Sequence, residues 1–163
     1  MVKGDNMTDN VTKYWEQFKT DMNEPTAVFG SAWAFGKGSQ QADDLARLTL
    51  TGIKTATASA YELYQLENEP IPVAKQGYDV LLNGAGEPVA IICTTNVEVR
   101  KYADVDERHA YAEGEGDRSL AYWRQVHEPF FRAEFAEAGE LLDLTRLHVV
   151  LEELTVIYSE PLR

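Results

Sequence analysis

The chain has 163 residues, 44% of them hydrophobic and 10% aromatic, with a formal net charge of −12. That length suits one domain with its own core, and the composition excludes a disordered chain. No apolar run reaches the roughly 20 residues of a membrane-spanning helix, and an acidic surface disfavours long polyanions, since phosphate contacts by Lys and Arg supply most non-specific nucleic-acid affinity.

Val11, Tyr14, Trp15, Phe18 and Met22 recur at helical spacing and predict a first helix over residues 8–22, closed by Pro25. Residues 27–39, with Trp33, Phe35 and several glycines, read as an irregular loop. Ala42, Leu45 and Leu48 predict a second helix over 40–51, with Gly52 at the left-handed position after it. Residues 55–59 suit a short strand, and 62–77, carrying Pro70, Pro72 and Gly77, a long loop. Strands are predicted over 78–83 and 89–100, joined as a hairpin through Gly84–Glu87. A short helix is predicted over 104–114 and a longer one over 119–138, kinked or split at Pro129. A last strand covers 147–158. The element order is α+β.

Other features narrow the chemistry. The opening MVKGDNMTDN holds no apolar signal region, and Met7 is a candidate natural start. Cys93 is the lone cysteine, which fits a reducing compartment, so a cytoplasmic location is expected. Gly36-Lys37 resembles part of a phosphate-binding loop, but Ser31 stands where its first glycine is needed and Gly38 where its hydroxyl residue is needed. His109, His127 and His148 lack zinc-type spacing, so no metal and no cofactor are expected.

Two segments carry polar groups beside small residues, as ligand-approaching loops do. One is Thr51-Gly-Ile-Lys54-Thr-Ala-Thr57-Ala-Ser59. The other is His109-Ala-Tyr-Ala-Glu113-Gly-Glu115-Gly-Asp117, continuing through Ser119, Leu120 and Trp123 to His127, Phe130 and Phe131. Taken as a solvated residue, Lys54 would merely complement a helix C-terminus, and Thr57 would be an ordinary strand threonine. Trp33, read on a loop, is a candidate for stacking on a base, with Tyr64 and Tyr78 as weaker ones. If Glu113 and Glu115 share a cleft, like-charge repulsion raises one carboxyl pKa.

The G-x-K-T-x-T element, the W-x-F-G element at Trp33–Gly36 and the E-G-E-G-D-x-S-L-x-x-W…H-x-x-F-F segment occur in order, and together they resemble the ASCH domain family, in its larger bacterial branch. The resemblance runs from about Trp33 to Tyr158. It implies a small PUA-like mixed β-barrel flanked by helices over residues 27–163, with residues 1–26 as an N-terminal helical segment packed on it. It implies a cleft for RNA or a modified nucleoside, with no membrane and no obligatory protein partner. One branch comprises amidohydrolases of N4-acetylcytidine, whose lysine, threonine and glutamate fall on Lys54, Thr57 and Glu113. Ser59 stands where that branch has arginine. Glu115 rivals Glu113, and Trp33, Ser59, Glu115 and Tyr78 are the candidate ligand-binding residues. A non-catalytic RNA-binding module and a ribonuclease are the alternatives.

Overall fold

The computed structural model describes residues 7–160, so residues 1–6, ahead of the candidate start at Met7, lie outside the described part. The elements run α1 (Asp9–Asp21), β1 (Phe29–Trp33), α2 (Ser39–Leu50), β2 (Ala56–Ala60), α3 (Tyr61–Leu66), β3 (Tyr78–Leu82), β4 (Pro88–Lys101), a 3-10 turn (Tyr102–Asp104), α4 (Glu107–Glu113), α5 (Leu120–Glu137) and β5 (His148–Ser159).

Among the described residues five strands form one sheet in the order β1-β3-β4-β5-β2. β1 runs parallel to β3, and the other neighbours are antiparallel. The long β4–β5 pair is the spine, with register shifts at Ile91/Ile92 and Thr94/Asn96 that mark bulges and bend the strands. The α+β class stands, but the expected closed barrel does not. β1 and β2 lie at opposite edges, and closure needs every strand to have two neighbours. The β2 edge is buried along its whole length. Just before it, the Thr55 N–H donates to the Ala112 carbonyl of α4 at 2.8 Å. Covering an edge in this way satisfies it without closure.

Residues 27–39 are not one irregular loop, because Phe29–Trp33 forms β1. Its sequence, FGSAW, is too rich in small residues to show alternation. The small residues have a packing reason: a Cβ on Gly30 would lie 2.3 Å from Asp79 Oδ1. Asp79 Oδ1 accepts from the Ser31 N–H at 3.0 Å, and Asp79 Oδ2 accepts from Trp33 Nε1 at 2.9 Å. Trp33 is therefore a 4% exposed core residue, packed edge-on to Phe35, and not a loop residue lining a cleft. Its carboxylate bond sets the scale of one prediction. Trp33→Phe is expected to lower unfolding free energy by about 1.5–3 kcal/mol, as for a bond to a charged group, measured by urea denaturation.

The segment expected as loop from residue 62 opens with α3, and only the part after it is irregular. α5 is one continuous helix through Pro129. Trp123 and His127 before the proline, and Phe131 and Phe135 after it, are buried, so packing on both sides outweighs one lost backbone bond. Val11, Trp15 and Phe18 of α1 join Ala32, Val80 and Ile91 in a core cluster, which seats α1 against β1, β3 and β4. Tyr78 packs its ring on Phe18 there, 5.5 Å between centroids. No helix among the described residues is long and apolar enough to cross a membrane.

Candidate functional site

The two polar segments, about sixty residues apart in sequence, are clamped together by backbone contacts. Besides the Thr55–Ala112 bond, Arg118 donates through Nε to the Tyr111 carbonyl at 3.0 Å and through a terminal nitrogen to the Ile53 carbonyl at 3.3 Å. Its guanidinium lies 3.5 Å from the Tyr111 ring centroid. α4 ends at Gly114, whose φ is +77°, and a Cβ there would lie 2.7 Å from the Ile53 carbonyl oxygen. Only glycine fits both demands. Gly114→Ala is therefore expected to cost about 1–3 kcal/mol from the backbone conformation alone, read as a lowered urea midpoint.

Lys54 follows α2 and turns inward, 2% exposed. Its ammonium donates to the Ala56 carbonyl at 2.9 Å and to the Glu113 carbonyl at 3.4 Å. The Glu113 carboxylate is at 3.5 Å, the Glu115 carboxylate at 3.6 Å and the Phe35 ring centroid at 5.0 Å. Four oxygens and a ring face converge on it, which suits a charged ammonium, a group with donors only. The solvated-lysine reading of Lys54 does not hold.

Glu113 is buried at the centre of a ring of donors. Its Oε2 accepts from His109 Nε2 at 2.7 Å and from Trp123 Nε1. Its Oε1 faces His127 Nε2 at 3.3 Å as well as Lys54. Burial opposes the charge, but His127 and then Lys54 outweigh it and hold the carboxyl well below its usual range. The expectation that like-charge repulsion raises a carboxyl here is thus corrected for Glu113. His127 Nδ1 sits 2.8 Å from the Trp123 carbonyl, which only accepts, so Nδ1 carries a proton. Burial opposes charge on the ring, yet Glu113 raises the His127 pKa. The His127 ring stacks on Trp123 at 4.2 Å and 16°. Glu115 is the more accessible carboxylate, its side chain 18% exposed.

These groups open on a cavity of about 280 Å³ between α2, β2, α5 and the loop after β1, near the lower end of the usual ligand-pocket range of about 300–1,000 Å³. Lys54, Thr57, Glu113, Glu115 and His127 line it, with Phe35 and Phe130 as its aromatic walls. Lys37 spans to Glu137 at 2.8 Å across the same cavity. Thr57, on β2, is 6% exposed, and its hydroxyl hydrogen-bonds no described residue. Ser59 lines an adjoining compartment with Tyr64. Trp33 and Tyr78 line neither space. Phe35, two residues beyond Trp33 in the W-x-F-G element, occupies the wall expected for Trp33. His127 was not among the candidate site residues; the signal that could have found it was its place in the H-x-x-F-F segment. Among the described residues no group of three or more His, Cys, Asp or Glu side chains is placed to hold a metal.

A single sheet flanked by helices, with a lysine and a glutamate motif meeting in a cleft, defines a class, and comparison with known proteins names it. The chain belongs to the ASCH domain family, matching that domain over residues 31–158. It is similar to the crystal structure of an ASCH domain from Lactobacillus crispatus JV V101, with 31% identity and a TM-score of 0.85 over 96% of this chain and 99% of that one. It is also similar to a protein of Enterococcus faecalis V583, with 36% identity and a TM-score of 0.84 over 93% of this chain and 90% of that one. No curated protein matches significantly. ASCH domains have a PUA-like fold and are often linked to RNA binding.

Proposed function

We propose that the chain is an amidohydrolase of an acylated nucleoside, of the N4-acetylcytidine type, working in a reducing cytoplasm. The observation that carries this reading is a pairing within one cavity: a buried Lys54 ammonium and Thr57, whose hydroxyl hydrogen-bonds no described residue. The hydroxyl faces no competing acceptor or donor among the described residues, so it is available to a ligand atom in the cavity.

In this reading Thr57 Oγ1 attacks the acyl carbonyl carbon and passes its proton to Glu115, the carboxylate nearer solvent. The ammonium of Lys54, held by four oxygen acceptors at the cavity wall, stabilises the oxyanion. The C–N bond then breaks and the Glu115 proton moves to the departing amine nitrogen. Water hydrolyses the threonyl ester to release the carboxylic acid. Glu113 holds Lys54 and His127 in place.

Charge favours a nucleoside over RNA. Four carboxylates, Glu113, Glu115, Glu134 and Glu137, line the cavity against Lys37, Lys54 and His127, and Lys37 is tied to Glu137. No arginine is present to grip a phosphodiester.

The test is incubation of pure protein with N4-acetylcytidine and, separately, with short RNAs, following acetate release and RNA integrity. Acetate release supports the reading. RNA binding without turnover of either substrate assigns a binding module, and cleaved RNA assigns a ribonuclease.

A further inference from the structure

Beside the main cavity lies a second compartment of about 160 Å³, lined by Ser59, Leu63, Tyr64, Glu67 and Glu134 among others. Glu134 and Glu137 of α5 border both spaces, so the two adjoin. The floor is shared as well. Thr57 and Ser59 are two residues apart on β2 and therefore lie on one face of the strand, about 7 Å from each other. Thr57 presents its hydroxyl to the first compartment, and Ser59 belongs to the second.

We propose that this second compartment binds the ribose of a free nucleoside through its vicinal hydroxyls. The proposal deepens, and rests on, the reading in which an acylated base faces Lys54 and Thr57.

The chemistry fits a diol. Ser59 Oγ and Tyr64 Oη lie 2.9 Å apart and share one hydrogen bond in which either is the donor. One hydroxyl proton and several lone pairs of the pair remain for a ligand, and a sugar diol both donates and accepts. Burial pushes the Tyr64 phenol up to about 12, so it keeps its proton.

The same compartment is unfavourable to phosphate. Glu67, Glu134 and Glu137 line it and no lysine or arginine does; Lys37 is nearby but already paired with Glu137, so a phosphate ester on the ribose meets net repulsion. Thr57, on the wall of the first compartment and two residues from Ser59, makes no hydrogen bond to a described residue and is available to a ligand that reaches both compartments.

The experiment titrates cytidine, 2′-deoxycytidine and cytidine 5′-monophosphate into the wild type, Ser59→Ala and Tyr64→Phe. Calorimetry gives Kd, and the tyrosine ring resonances report the place of binding. The wild type is expected to bind cytidine at least tenfold more tightly than the deoxynucleoside and to bind the monophosphate most weakly. Cytidine should shift the Tyr64 resonances. Both variants should lower cytidine affinity and bring the ribo-to-deoxy ratio towards one.

Equal affinity for cytidine and 2′-deoxycytidine overturns the proposal, as does a Tyr64 ring untouched by ligand or the absence of any nucleoside binding. Because the ribo-to-deoxy comparison is made on the wild type, it stands even if a variant folds poorly. The two readings fail separately. Equal hydrolysis of N4-acetylcytidine and its 2′-deoxy analogue, with equal affinity, removes the ribose subsite and leaves the amidohydrolase. Ribose-dependent binding at Tyr64 without hydrolysis removes the amidohydrolase and leaves the subsite.

Discussion

Glu113→Gln is expected to lower unfolding free energy by about 3–5 kcal/mol, the range for breaking a buried ion pair by removing one partner. The reason is local. Glutamine can still accept from Trp123 or His109, but it leaves Lys54 and His127 without the buried counter-charge. Glu115 offsets part of this for Lys54, at 3.6 Å, so the lower end of the range is the better expectation. The pH dependence is more diagnostic than the size. Glu113 is held below its ordinary value of 4.5, so its contribution is complete above that value and is lost as pH falls through the depressed one. His127 is raised above 6.5, so its contribution is complete below 6.5 and is lost as pH rises through the raised value. Stability from this cluster is therefore greatest between pH 4.5 and 6.5. Denaturant unfolding of wild type and Glu113→Gln from acid to mildly alkaline pH should show the acid and alkaline limbs both flattened in the variant. Parallel curves would show that the cluster does not govern them.

Thr57→Ala is expected to leave the fold intact and to reduce kcat for N4-acetylcytidine by more than about 10³, since removing a covalent nucleophile costs up to about 10⁶. Thr57→Ser should retain more activity than Thr57→Ala, because serine keeps the hydroxyl of the covalent route. Lys54→Met should lose about 10²–10³, the size of effect for an oxyanion stabiliser, and the double variant should be little worse than Thr57→Ala, since groups acting on one transition state fail as a unit. Full activity in Thr57→Ala, measured by acetate release, would remove the threonine from the mechanism. Because Lys54 is buried and paired, its variant needs an unfolding curve beside the kinetics.

How much of this was legible in sequence varies with the element. α1, α2 and α5 were readable because each buries one stripe, and residues three and four apart stay on that stripe whatever the neighbours do. β3, β4 and β5 were readable from apolar and β-branched runs bounded by turn residues. β1 was not, because FGSAW owes its strand to pairing with β3 and to the close approach of Asp79, both distant in sequence. Trp33 was misplaced for the same reason: its indole N–H is spent on Asp79, forty-six residues away.

The sequence by itself determined the α+β class and the family to which the motifs belong, and it singled out Lys54, Thr57 and Glu113, because those properties reside in local spacing and residue chemistry. Only the tertiary structure decided that the sheet stays open, since closure depends on which strands meet at the edges. It also decided the division of labour between the two glutamates. Glu113 and Glu115 are alike in sequence, each flanked by glycine. One turns into a cage of His109, Trp123, His127 and Lys54, while the other stays nearer solvent with Lys54 as its ion-pair partner. That difference is set by donors from α4, α5 and the Lys54 loop, and three-dimensional packing alone brings them to the same carboxylate.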